Sequence, residues 1–173
     1  MTRSIFKNTA KLINSQRTGN TEEDSSALVI ETQSLIQAIV NDADSERDGR
    51  ITAAIEKFTE ARMYCHFFSC GVLPEPSLVQ PCNDDEYIGA TFGFAQELSR
   101  YVVGRACEND LHSIAICRDL VMQLNEKALE FDFRNGHLRR KYDGLKYVIK
   151  TIEDITYELS LVQDIPIATI SAR

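Results

Sequence analysis

Apolar residues recur at steps of three and four along most of this chain, and one segment alone, GVLPEPSLVQPCND over 71–84, breaks the pattern hard. That spacing lays an apolar stripe along each of a series of helices, and no clear run alternates in steps of two as a half-buried strand would. Three of the four prolines, Pro74, Pro76 and Pro81, lie in the breaking segment, where proline removes a backbone donor and fixes φ. The period predicts helices over roughly 25–41, 51–70, 84–105, 109–131 and 137–161, the third opened by Asp84 and Asp85 and the last two parted by Asn135-Gly136. The fold class is all-α. A polar stretch, RTGNTEED over 17–24, precedes the first of these helices. The domain map that follows is a poorly defined segment 1–24, amphipathic at its start, then one helical domain over 25–165 and a tail over 166–173.

At 173 residues, 43% of them hydrophobic and 26% charged, the chain is long enough to bury a real core. The formal net charge is −7, which excludes a surface basic all over but not a local basic site, because binding follows the local field. Five cysteines at 65, 70, 82, 107 and 117 are an odd set on apolar stretches without CxxC spacing. They read as reduced thiols of an intracellular protein. No apolar run reaches the ~18 residues of a membrane span. The expected location is the cytoplasm, the nucleus or both, with no membrane partner.

The last helix is the most regular. Leu138, Tyr142, Leu145, Ile149, Ile152, Thr156 and Leu159 alternate in steps of four and three, a seam that packs on a neighbouring helix of the same chain or of another. Read as an oligomer interface, its residues are Leu138, Tyr142, Leu145, Ile149, Ile152 and Leu159. Its charges run the wrong way for its dipole: Arg139, Arg140, Lys141, Lys146 and Lys150 come first, and Glu153, Asp154 and Glu158 follow. Cations near a helix N-terminus are destabilising, so a partner surface is the better reason for that order.

Asp44, Glu46 and Asp48, followed by Gly49 and Ile51, imitate the start of a calcium-binding EF-hand loop. The bidentate glutamate belongs at Ile55, and Glu56 comes one residue late, about 100° away around a helix. The plainer reading is an acidic turn whose Asp48 caps the next helix. His66 beside Cys65 and near Cys70 lacks the rest of a zinc set, and reads as a core histidine. Gly89, Gly93 and Gly104 have no phosphate-loop spacing and read as close packing points within a helix.

Two stretches, EYIGATFGFAQELSRYVV over 86–103 and LEFDFRNGHLRRKYDGLKYVIKTIEDITYELSL over 129–161, resemble the C-terminal half of the translin family. The run from Arg140 to Tyr147, RKYDGLKY, is the most specific part. Upstream, EKFTEARMYCHFF over 56–68 is a looser match, closer to the paralogous translin-associated factor X. The resemblance implies a multi-helix bundle subunit of a hollow oligomer, typically an octamer, that binds single-stranded RNA or DNA. It also implies hetero-oligomers in which the paralogue cuts RNA with a divalent metal held by a Glu-x-x-Glu and an Asp-x-x-x-Glu. Here the matching positions read Lys57-x-x-Glu60 and Gly93-x-x-x-Glu97. Two of four acids remain, one is a cation and one has no side chain, so no catalytic residue is assigned. Glu60 and Glu97, with help from Glu56, would be the Mg²⁺ ligands if the chain were a nuclease; otherwise no cofactor is expected. Absent a metal, these acids would pair with Lys57 and with Arg100 or Arg62.

Phosphate contacts require cations, and the expected nucleic-acid-binding set is Arg47, Arg50, Arg100, Arg139, Arg140 and Lys141. Three functions follow in order: a homo-oligomeric single-stranded RNA/DNA-binding subunit that scaffolds RNA processing without cutting by itself, a divergent Mg²⁺-dependent endoribonuclease, and a purely structural helical scaffold.

Overall fold

A computed structural model of the chain describes residues 2–18, 22–41 and 48–163. Among them are six α-helices, one short 3₁₀ turn and no strand: α1 (Thr2–Thr18), α2 (Glu22–Val40), α3 (Gly49–Cys70), α4 (Asp84–Cys107), α5 (Leu111–Ala128) and α6 (His137–Gln163), with the 3₁₀ turn at Pro76–Val79. The packing groups them into two compact units, Met1–Phe94 and Ala95–Arg173. No helix among the described residues is long and apolar enough to cross a membrane.

The first unit contains α1 to α3, the 3₁₀ turn and the start of α4. The segment expected to be poorly defined is α1, and its spacing explains why it folds: Ile5, Thr9, Leu12 and Ile13 are buried along one face, which packs on α3 and α2. The polar linker expected over 17–24 shrinks accordingly, because α1 runs to Thr18 and α2 starts at Glu22; residues 19–21 and the tail 166–173 lie outside the described residues. One core cluster joins Ile5 of α1, Ile36 of α2, Ala54, Ile55 and Phe58 of α3, and Val79 and Cys82 from the proline-rich segment. The breaking segment therefore contributes to the core rather than looping away from it. Tyr87 anchors it, donating its hydroxyl to the Pro74 carbonyl at 2.7 Å.

Helix α3 is bounded by two local devices. Asp48 Oδ1 accepts from the backbone N–H groups of Arg50 and Ile51, each at 2.8 Å, a side-chain N-cap. At the other end Gly71 takes φ +75° and donates its N–H to the Phe67 carbonyl, the left-handed stop that glycine adopts without strain. Since α3 already begins at Gly49, the sixth position of the imitated calcium loop, that loop lacks the chain course an EF-hand needs; Asp44 and Glu46 lie outside the described residues. Helix α4 is capped by a residue the sequence reading passed over. Asn83 Oδ1 accepts from Glu86 N–H at 2.8 Å, and Glu86 Oε2 accepts from Asn83 N–H at 2.9 Å, a reciprocal box. Asp84 and Asp85 follow in the first turn.

In the second unit, α5 and α6 form a hairpin, joined by the turn over 129–136. Asp110 caps α5, accepting from Ser113 N–H at 3.1 Å; hydrogen bonds from Ser113, the side-chain hydroxyl first and the backbone N–H second, hold its carboxyl below the usual range. The buried face of α6 is Leu145, Val148, Ile152 and Thr156, and α5, which packs on it, buries Ile114, Cys117 and Val121. Two residues expected at an oligomer interface, Leu145 and Ile152, are thus buried within the chain, leaving almost no surface for another subunit. Leu138, Tyr142, Ile149 and Leu159 are half-buried. All five cysteines are free, and burial pushes the Cys65 and Cys117 thiols up to about 11 and about 12.

Replacing Asp48 with alanine removes the α3 cap. The urea midpoint should fall with an unchanged slope, by an amount equivalent to about 1 kcal/mol, and added Ca²⁺ should leave the melting temperature of the unaltered protein where it was.

Candidate nucleic-acid interface

Buried carboxylates are rare because a charge loses its hydration on burial, and α3 carries two, Glu56 at 5% and Glu60 at 4% exposure. The Glu60 carboxylate accepts from the Lys57 ammonium one turn earlier, and the lysine reaches partly out to solvent. Gly93, in the first-unit part of α4, lies against the same carboxylate. A Cβ built there would come within 2.8 Å of Glu60 Cδ, inside the closest approach that carbon atoms tolerate. Gly93 is therefore the space that Glu60 occupies. Gly104 meets nothing within 4 Å, so close packing does not explain that glycine.

The second unit holds a parallel case. Glu97, 4% exposed, accepts from Arg100 three residues later, whose side chain is largely exposed. Each of the two remaining acids is thus neutralised by a cation of its own helix, as i,i+3 spacing permits. A divalent cation needs several converging oxygen donors. At Glu60 the neighbouring positions supply an ammonium and a glycine instead, and no group of three or more His, Cys, Asp or Glu able to hold a metal occurs among the described residues. As the side chains stand, Glu60 with Lys57 and Gly93 offers too few converging oxygens for magnesium, and His66, Cys65 and Cys70 form no such group either.

Of the expected phosphate-binding cations, Arg47 lies outside the described residues. Arg50 is exposed at the start of α3. Arg100 is engaged with Glu97 and lines a shallow groove of about 340 Å³ between α4 and α6, with Gln96, Ser99, Gly144, Tyr147, Val148 and Thr151. Arg139, Arg140 and Lys141 come together in the first turn of α6. Arg139 pairs with Asp143 at 3.2 Å and lies over the Tyr142 ring, 5.7 Å from its centroid. Arg140 donates from Nε to the Gly136 carbonyl at 3.3 Å, which holds its side chain back along the helix start.

Two further features escaped the sequence reading. Arg3, Lys7 and Lys11 are exposed on α1, and their i, i+4, i+8 spacing places them along one face; residues 2–18 contain no acid at all. The signal was available, but a segment set aside as poorly defined has no faces to compare. The other is aromatic: Phe131 and Phe133 of the turn before α6 stack on each other, 5.7 Å between centroids.

The Translin family model matches residues 3–163. This chain belongs to the translin family. It is 30% identical over 91 residues to human translin, which covers 53% of this chain and 40% of that protein. Chicken translin is 30% identical over 77 residues, covering 44% of this chain and 34% of its own length. The matched part thus spans less than half of these curated relatives. Among solved structures, apo-NeC3PO superposes with a TM-score of 0.83 at 14% identity, over 92% of this chain and 86% of that one. The AfC3PO–duplex RNA complex gives 0.79 at 17% identity, over 93% and 86%. The likeness in fold covers more than nine-tenths of the chain, well beyond the half that carries the sequence motifs.

Lys57→Gln removes the cation beside a buried carboxylate, which costs more than losing an exposed pair but less than breaking a fully desolvated one. The unfolding free energy at neutral pH should fall by about 1–2 kcal/mol, read from urea denaturation.

Proposed function

We propose that this chain is a single-stranded RNA- or DNA-binding subunit of the translin type, which assembles with copies of itself and does not cut RNA on its own. What carries the reading is the state of the two remaining acids in a translin-family chain: Glu60 is held by Lys57 and Glu97 by Arg100. A strand phosphate brings its own negative charge and needs cations, whereas a nuclease metal needs free carboxylates. Arg139, Arg140 and Lys141 on α6, Arg50 on α3 and Arg3, Lys7 and Lys11 on α1 supply the cations. AfC3PO, whose fold this chain shares, was solved with duplex RNA, which supports nucleic acid as the ligand class. In this reading the chain works in the cytoplasm or nucleus as part of an octamer-type shell, with acidic surface outside and basic surface within. A catalytic paralogue joins the shell when RNA is to be cut.

One observation favours the enzyme alternative. Glu56 and Glu60 are both buried and lie one turn apart on α3, so a rearranged pair could hold Mg²⁺ if Lys57 turned away. The third possibility, a scaffold that binds nothing, is separated by the same experiment.

Purified oligomer of measured mass is incubated with labelled single-stranded and duplex RNA, in Mg²⁺ or in EDTA. The expected result is intact RNA retained equally in both, with affinity falling as salt rises by about 0.7 in the log–log slope for each strand phosphate contacted. Cleavage that requires Mg²⁺ and vanishes in a Glu60→Ala, Glu97→Ala double variant would establish the nuclease. Absence of binding at low salt would leave the scaffold.

A further inference from the structure

Residues 129–142 place three aromatic rings and a guanidinium in one row. Phe131 and Phe133 stack with planes 22° apart and centroids 5.7 Å apart. Phe133 meets Tyr142 at 5.3 Å, and Arg139 covers Tyr142 at 5.7 Å. The row ends in the open, because Phe131 is 54% exposed and Leu129 beside it is exposed as well. Exposed rings held in order by their neighbours are unusual on a surface that otherwise has no use for them. All of these residues lie in the second unit.

The charge around the row decides between occupants. From 129 to 146 there are five bases, Arg134, Arg139, Arg140, Lys141 and Lys146, against the acids Glu130, Asp132 and Asp143. Glu130 is paired with Lys127 at 2.9 Å and Asp143 with Arg139. The surroundings are basic in a chain whose total is −7. A symmetric contact with a second copy would set this basic cluster against itself, since an isologous interface presents the same patch from both sides. A single-stranded nucleic acid has what the surface lacks, flat π faces for the rings and phosphates for the cations.

We propose that the turn before α6 is a base-stacking platform for single-stranded nucleic acid. Phe131 offers the open stacking face, Phe133 and Tyr142 hold it in place, and Arg140 and Lys141 take the flanking phosphates. This rests on the nucleic-acid-binding reading and adds to it a defined place where bases, rather than the backbone alone, are held. Because base faces are alike, the platform tolerates sequence and discriminates against duplex, whose bases are already stacked.

The test uses the full chain in its native assembly and a labelled 20-nucleotide oligo(U). Phe131→Ala should weaken binding about tenfold without changing the slope of affinity against salt, whereas Arg140→Gln with Lys141→Gln should reduce that slope. The chain contains no tryptophan, so Phe131→Trp introduces a single reporter whose emission should be quenched when oligo(U) is added. Unaltered protein that binds while Phe131→Ala binds equally well, or a Phe131→Trp emission indifferent to oligo(U), overturns the platform and leaves the binding reading standing. Unaltered protein that does not bind overturns both. A fall in oligomer mass by light scattering in Phe131→Ala would identify the row as a subunit contact and overturn the platform too.

Discussion

A helix buried on nearly every side must settle its charges from within, and α3 is such a helix. Its buried residues run through Ile55, Glu56, Phe58, Thr59, Glu60, Ala61, Met63 and Tyr64, so its middle keeps little surface for solvent. The Lys57–Glu60 pair solves the problem at one position, the ammonium of the lysine meeting the buried carboxylate one turn on. Room for that carboxylate comes from Gly93 on α4. Around this helix the first unit closes: α1 and α2 pack on it, the proline-rich segment seals one side with Val79 and Cys82, and Tyr64 and Phe67 meet Phe94 edge to face.

The same pair links fold to function. Lys57 and Gly93 stand where the resemblance implies acids, and the two replacements fit each other in space. A lysine supplies the positive charge that an ion would have supplied, and a glycine leaves a hollow in which the remaining acid lies. Either change alone would be awkward: an added Cβ at position 93 would displace Glu60, and a lost cation would leave Glu60 buried against its hydration. Together they make a stable interior from positions that elsewhere imply chemistry. In the function proposed for this chain, the surface carries the load instead, through cations on α1 and α6 and rings on the turn between α5 and α6.

Helices α2 to α6 were legible from apolar spacing because each buries one stripe, or, for α3, more than one. Their ends were less so. The cap of α4 is Asn83, whose role depends on Glu86 reaching back, a geometry that three neighbouring acids disguise. Helix α1 was passed over because its short apolar set, Ile5, Leu12 and Ile13, acquires meaning only against α3. The pairings of Glu60 and Glu97 with cations three residues away could be anticipated, since helical spacing is local. The role of Gly93 could not, because it depends on a side chain 33 positions earlier in the sequence. The aromatic row was hidden by its alternation, Phe131 and Phe133 flanking Asp132, which reads as turn composition until the rings are seen stacked.

Glu60 and Glu97 are each satisfied by a cation of their own helix, which predicts that neither serves to hold a divalent metal. Mn²⁺ can be titrated into the purified protein and its bound fraction read by electron paramagnetic resonance, since free and bound ions differ in signal. Only a weak, non-saturating loss of the free signal is expected, unchanged in a Glu60→Gln variant. Stoichiometric binding of Mn²⁺ per chain that disappears in Glu60→Gln would contradict it.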